Sequence, residues 1–368
     1  MSMKKILVVG QTPPPYGGQA IMIRYLLQGA YQDVKLFHVR MSFSKDMDNM
    51  GSFTIGKLFH LIHLILKIIY ARLRHGIQVL YYPPCGPDMI PMLRDLAILC
   101  STRWMFKKTI FHFHAAGISD IYQGLPTLLK IFYRWGYFKP ELAIQISEYN
   151  PDDGQILLAK KKIVVPNGLE DDYASMLRVA RKKHDTCTIL FVGLISESKG
   201  ILVLLEAIKN LAIRNVFVQL NVVGKFESRI FESIVLKKIG EYNISDCVNF
   251  KGVLDGLYKH HEYLAADIFC FPTFFESESF GLVVAEAMQF KLPVIASQWR
   301  GVQSLVSENK TGFLTPIQSP ELIAEKIELL VFDPELRRNM GVAGRLRFIE
   351  EYSLEKFHER MGRCFSEI

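Results

Sequence analysis

At 368 residues the chain exceeds the roughly 250–300 at which a single hydrophobic core stops growing, so two domains are expected. Hydrophobic residues make up 49% and charged residues 22%, with 25 Gly and 16 Pro, which excludes a disordered or collagen-like chain. The formal net charge of +7 is unevenly spread: residues 1–170 hold 20 Lys and Arg against 11 Asp and Glu, the remainder 24 against 26. All of the basic excess therefore belongs to the first half, which points to an anionic partner such as a nucleic acid, a phosphorylated lipid or a phospholipid surface.

The chain opens with Met1-Ser-Met-Lys-Lys and an apolar run at 6–9. That run is too short for the centre of a signal peptide and lacks a small-residue cleavage site, so a cytoplasmic location is expected. Further short runs of branched and aromatic residues at 34–39, 78–82, 109–113, 142–146 and 163–165 predict strands. Segments of helical length separate them at 19–29, 55–74, 88–105, 125–137 and 152–160. This alternation predicts an α/β, Rossmann-like domain, a parallel sheet covered on both faces. A charged stretch at 171–185, with Arg178, Arg181, Lys182 and Lys183, interrupts the pattern.

The alternation then restarts, with strands predicted at 188–192, 216–223, 247–250, 268–271 and 293–296 and helices at 201–212, 230–241, 256–265 and 280–290. Beyond Ser319 three helices are expected, at 321–331, 334–350 and 354–365. The domains are placed at 1–168 and 169–351, with a last helix at about 352–368 returning to the first. Two such domains imply a cleft between them, a favoured place for a small-molecule site. Cysteines at 85, 100, 187, 247, 270 and 364 include no C-x-x-C pair, which argues against a disulfide framework or a zinc site.

The segment 58–71 has only Lys67 and two histidines among apolar residues. It is too short and interrupted to span a bilayer. Lys57, His60, His63, Lys67 and Arg74 recur at helical spacing as one narrow polar stripe, which burial in the first domain and contact with a membrane explain about equally well. The basic, aromatic segment 128–139, with Lys130, Arg134, Trp135 and Lys139, tips the balance toward membrane contact.

Three loops carry candidate chemistry. Residues 11–18 end in Gly17-Gly18 before a helix, where free N–H groups and the helix dipole favour an anion; the loop is not a G-x-G-x-x-G fingerprint. The run from Thr273 to Met288 follows an apolar strand. Its amides at Phe280, Gly281 and Leu282 are placed to face a phosphate, and the carboxylates of Glu278 and Glu286 to accept from sugar and ribose hydroxyls. Between Gly193 and Gly200, Lys199 is positioned to neutralise a diphosphate.

Together these segments resemble the family 4 retaining glycosyltransferases of the GT-B fold, two Rossmann-like domains facing each other across a cleft. Glu278 and Glu286 match that family's E-x7-E element, and Gly17 and Gly18 its loop near the reacting phosphate. Val165-Pro-Asn167-Gly168, Gly193 to Gly200, Gly301-Val-Gln-Ser-Leu-Val and Lys310-Thr-Gly-Phe-Leu match further stretches. The family histidine after a first-domain strand has two candidates, His112 and His114, of which His114 is favoured because it directly precedes the small residues at 115–117.

The resemblance implies a catalytic set of His114, Lys199 and Glu278. It implies donor binding by Gly17, Gly18, Gly193, Lys199, Glu278, Phe280, Gly281, Leu282 and Glu286. The expected reaction moves a hexosyl group from a UDP- or GDP-sugar to a glycan or lipid-linked acceptor, in surface polysaccharide synthesis, with no metal, no other cofactor and no nucleic acid. The +9 first domain adds an anionic membrane surface as an expected partner, and hence a peripheral position on the inner face of the membrane. Two departures stand out: Leu194 replaces an arginine expected to hold the diphosphate, leaving Lys199, backbone amides and Arg300 to compensate, and Ser304 replaces a common acidic residue. Alternatives are a nucleotide-sugar 2-epimerase of the same architecture and a non-catalytic sugar-nucleotide-binding partner.

Overall fold

The computed structural model describes residues 3–14, 16–42, 55–176 and 186–368, and only the backbone of 55–57. The linker cations Arg178, Arg181, Lys182 and Lys183 and the side chain of Lys57 lie outside the described residues. The chain divides into two compact units, residues 1–168 with 354–368, and residues 169–353.

Unit 1 contains β1 (Lys4–Gly10), α1 (Gly18–Gln28), β2 (Val34–Arg40), α2 (Ile55–His75), β3 (Val79–Tyr82), α3 (Met89–Thr102), β4 (Lys108–Phe113), α4 (Thr127–Tyr137), β5 (Leu142–Gln145), α5 (Asp153–Ile156) and β6 (Lys161–Val164). Its six strands are parallel, in the order β2-β1-β3-β4-β5-β6. The central strands are apolar at nearly every position because both faces are covered: Ile6, Leu7, Val8 and Val9 are all fully buried. Edge strand β6 instead exposes Lys161 and Lys162, charges that discourage further strand pairing. Leu64 and Ile68 of α2, Met92 and Leu96 of α3 and Tyr133 and Tyr137 of α4 pack with Leu80 and Phe111 of the sheet in one core. Truncating such a leucine to alanine typically costs about 2–5 kcal/mol.

Unit 2 contains α6 (Tyr173–Met176), β7 (Cys187–Val192), α7 (Ile201–Ile213), β8 (Val218–Val223), α8 (Arg229–Glu241), β9 (Val248–Gly252), α9 (Gly256–Ala265), β10 (Ile268–Phe271), α10 (Leu282–Gln289), β11 (Val294–Ser297), β12 (Gly312–Thr315), α11 (Pro320–Phe332) and α12 (Pro334–Arg347). Its parallel sheet runs β12-β11-β10-β7-β8-β9. Leu169 N–H donates to the Tyr352 carbonyl at 2.9 Å, so the chain enters and leaves this unit at adjacent points. Helix α13 (Leu354–Ser366) then packs in unit 1: Phe357, Met361, Cys364 and Phe365 are buried, and the Phe365 ring lies 5.0 Å from that of Tyr31. Lys4 Nζ donates to the Phe365 carbonyl at 2.7 Å.

Several elements differ from the sequence expectation. Residues 312–315 form a sixth strand in unit 2, unexpected because Phe313 and Leu314 make too short an apolar run to stand out. The helix expected at 152–160 shrinks to the single turn α5, capped by Asp152 and ended by Leu158 in the left-handed conformation. The helix expected from Phe280 begins at Leu282, and α12 gives way at Phe348 to one π turn ending at Tyr352. Helix α2 is only half accounted for by burial, because a second apolar row, including Phe59, Leu66 and Leu73, stays exposed.

Candidate functional site

In an open parallel sheet, ligands favour the carboxyl ends of the strands where strand order reverses. In unit 2 the chain runs outward from β7 to β8 and β9, then returns to the other side of β7 with β10. The loops after β7 and β10 therefore meet. Phe274 N–H donates to the Ser198 carbonyl at 2.8 Å, and Gly200, with φ +81°, brings the start of α7 against the end of β10. A Cβ at Gly200 would lie 2.0 Å from the Pro272 carbonyl oxygen, so only glycine permits this approach.

That approach unites two predicted residues 79 positions apart. Lys199 Nζ lies 2.5 Å from Glu278 Oε2, with the side chains only 17% and 11% exposed. Nζ also sits 4.4 Å from the Phe275 ring centroid, and Thr273 Oγ1 donates to Glu278 at 3.5 Å. Gly193 follows β7 directly and donates its N–H to Val223. Past Glu278, buried Phe280 leads to Gly281, whose φ of +82° turns the chain into α10. In the first turn the Val284 N–H donates to the Gly281 carbonyl at 2.9 Å, whereas the Leu282 N–H, at the first helical position, has no acceptor within the helix. The four are thus neighbours along one loop and helix start.

Glu286 lies farther along α10 and makes a separate cluster. Its carboxylate accepts from Lys259 Nζ and from the buried Tyr263 hydroxyl, each at 2.7 Å. Burial and the carboxylate push the Tyr263 phenol well above its ordinary pKa, so it remains a donor. Two contacts leave a carboxylate further acceptor capacity for a ligand diol. Lys259 and Tyr263 were not singled out from the sequence; their i,i+4 spacing on a predicted helix places them on one face, but nothing local indicates that the face meets Glu286.

The segment after β11 closes the same region. Trp299 Nε1 donates to the Phe275 carbonyl at 2.8 Å, tying it to the β10–α10 loop. The next residue, Arg300, has a strained φ of +40° and a buried Nη1 with no hydrogen-bond partner among the described residues. Ser304 donates to the Gly301 carbonyl within its own turn. Leu194 is partly exposed.

Unit 1 reverses strand order between β1 and β3. The loop after β1 reaches α1 through Gly17 and Gly18, and Arg40 Nη2 donates to the carbonyls of Thr12 and Pro14 at 3.1 and 2.8 Å. A Cβ at Gly17 would meet nothing within 4 Å, so local packing does not demand glycine there. His112 and His114 both lie at the end of β4, with rings 4.0 Å apart. His112 is wholly buried and shares a 2.6 Å hydrogen bond with the Tyr81 hydroxyl. His114 is buried, and that burial lowers its pKa to about 3 against a smaller opposing effect of Asn167. The imidazole is neutral at physiological pH, offering one donor and one acceptor. Asp153, also missed from the sequence, holds the loop after His114 by accepting from Gly117 N–H, Ser119 N–H and the Ser119 hydroxyl.

Among the described residues no group of three or more His, Cys, Asp or Glu is placed to hold a metal ion. Residues 174–347 match the family model described as glycosyl transferases group 1. The matched segment lies within unit 2, which is thus similar to the group 1 glycosyltransferases. The chain is 32% identical over 202 residues to the capsular polysaccharide biosynthesis glycosyltransferase CapM of Staphylococcus aureus, covering 54% of this chain and 50% of that protein. It thus spans about half the length of the curated relatives it matches.

Sucrose-phosphate synthase from Thermosynechococcus elongatus superposes with a TM-score of 0.74 at 21% identity, covering 99% of this chain and 98% of that one. Anabaena HepE in complex with UDP superposes at 0.73 and 16%, covering 99% and 100%. These likenesses establish the GT-B fold. The match to the group 1 model and the relatives' names do not favour the epimerase alternative.

Proposed function

We propose that this chain is a retaining, metal-independent glycosyltransferase that moves a hexosyl group from a nucleoside diphosphate sugar to a glycan or lipid-linked sugar acceptor in surface polysaccharide synthesis. The observation that most supports it is the Lys199–Glu278 pair at the strand-order reversal of a unit similar to the group 1 glycosyltransferases. In the reaction the bond from the anomeric carbon to the diphosphate oxygen breaks and a bond to the acceptor oxygen forms on the same face. The acceptor proton passes to the departing diphosphate. The protein's task is then to stabilise negative charge on that leaving group.

Lys199 exchanges Glu278 for the diphosphate, and the released carboxylate takes the sugar hydroxyls. Arg300, with a buried nitrogen that lacks a partner among the described residues, supplies the cation that Leu194 does not, and the amides from Phe280 to Leu282 add donors. Glu286 receives the ribose hydroxyls, with Lys259 and Tyr263 holding it in place. Gly193 lets the nucleotide approach the backbone. In unit 1, Gly17 leaves open space just before α1, which Gly18 begins, and neutral His114 bonds a sugar hydroxyl. CapM's name places that relative in capsule synthesis and HepE binds UDP, which makes UDP-sugars the first donors to try.

Thermal unfolding with a panel of UDP- and GDP-sugars tests the reading. A donor at a hundred times its Kd should add about 2.7 kcal/mol of stability. Stabilisation by no member of the panel would sink the proposal, and an inverted anomeric centre in the product, seen by NMR, would sink retention.

A further inference from the structure

The helical layer of α2, α3 and α4 is unusual in its charge. Helices α2 and α4 contain no Asp or Glu, and α3 has only Asp95, which is fully buried and paired with Arg94 at 2.7 Å. Exposed cations occur instead: Lys67 and Arg74 on α2, Arg134 on α4 and Lys139 just after it. Helix α2 packs on α3 and α3 on α4, so their outward rows are neighbours.

Those rows are apolar. On α2, Leu64 and Ile68 enter the core, while Phe59, Ile62, Leu66, Tyr70 and Leu73 recur every three or four residues on the outside; Phe59 is 70% and Leu73 66% exposed. Helix α4 repeats the division. Tyr133 and Tyr137 are buried, whereas Leu128, Ile131, Phe132 and Trp135 face outward, Trp135 at 56%. Ile90 and Leu93 expose the first turn of α3 between them. Contiguous apolar surface of this kind, rimmed by polar groups, marks a protein or membrane contact.

We infer that this face docks on an anionic phospholipid surface. Aromatic side chains and leucines enter the boundary between headgroups and acyl chains, while lysines and arginines reach the lipid phosphates. A second copy is a poor occupant, because unit 1 carries 23 Lys and Arg against 13 Asp and Glu, so pairing would oppose like charges. No helix among the described residues is long and apolar enough to cross a membrane, so the layer lies along the surface. Docking deepens the transferase reading, resting on it only for its purpose, which is to bring unit 1 to a lipid-linked acceptor.

Arg72 is a poor probe, since its Nε donates to the Met105 carbonyl and supports the fold. The exposed positions are better. Co-sedimentation with phosphatidylglycerol-containing vesicles should detect the wild-type protein, and pure phosphatidylcholine vesicles should not. Lys67→Gln and Arg74→Gln should each weaken binding about fivefold, as expected when one interfacial charge is lost. Phe59→Ser with Leu66→Ser and Trp135→Ser should reduce it by about tenfold or more.

Phe217→Ser with Ile230→Ser, exposed in unit 2, is the control and should bind as wild type does. Every variant should retain its stabilisation by nucleotide sugar. Equal binding to neutral vesicles, face variants that bind like wild type, a control that loses as much, or a face-dependent dimer without vesicle binding would each overturn the inference. Vesicle binding without stabilisation by any nucleotide sugar would leave docking intact and refute the transferase.

Discussion

Replacing Glu278 with glutamine should separate the two roles of its ion pair. At 2.5 Å and an effective dielectric of about 20, the attraction to Lys199 is about 6–7 kcal/mol before desolvation, which removes most of it. Removing one partner of a fully buried pair costs about 3–5 kcal/mol, and these groups keep some solvent contact, so about 1–3 kcal/mol of stability should be lost. Binding should move the other way. In the free protein Lys199 is neutralised by Glu278, and a diphosphate must compete with that carboxylate; in Glu278→Gln it need not. Titration calorimetry should therefore show UDP or GDP bound as tightly as by wild type or several-fold more tightly, while transfer falls about a hundredfold. Lys199→Ala should instead weaken nucleotide binding by about 1.5–3 kcal/mol, the range of a charge-assisted hydrogen bond. Weaker nucleotide binding by Glu278→Gln would refute this account, because it would mean that the carboxylate holds the nucleotide rather than opposing it.

Tyr263→Phe removes a 2.7 Å donor to Glu286 and should cost about 1–2 kcal/mol in thermal unfolding, with a larger loss of affinity for a nucleoside diphosphate than for inorganic diphosphate. Gly200→Ala sets a Cβ against the Pro272 carbonyl at a left-handed φ and should destabilise by about 2 kcal/mol or more, measured by urea denaturation, with donor binding lost alongside. His114 has a folded pKa near 3 against an ordinary value of 6.5, so the unfolded chain binds more protons between these values and stability falls as pH drops from about 6.5 toward 3. At pH 4.5 the loss from this group should approach 2–3 kcal/mol relative to pH 7, and His114→Gln should make the stability profile shallower over that interval while the buried His112 still contributes. The same substitution should abolish transfer while nucleotide binding to unit 2 persists.

Much of both sheets was legible in the residues themselves, because strands buried on both faces read as unbroken apolar runs such as Ile6–Val9. The spacing of Glu278 and Glu286 around a helix start was equally local, as were the glycines that open the loops. What depended on tertiary structure was partnership. Lys199 and Glu278 are 79 residues apart and meet only because β10 returns beside β7, a sheet order that no local pattern encodes. Lys259 and Tyr263 reached Glu286, and Asp153 the loop after His114, in the same way. Helix α2 shows the limit most clearly: when a helix is apolar on two sides, its periodicity identifies both rows but not which one the core receives. Packing chose Leu64 and Ile68 and left Phe59, Leu66 and Leu73 outside, turning a basic, apolar stretch of sequence into a surface with a direction.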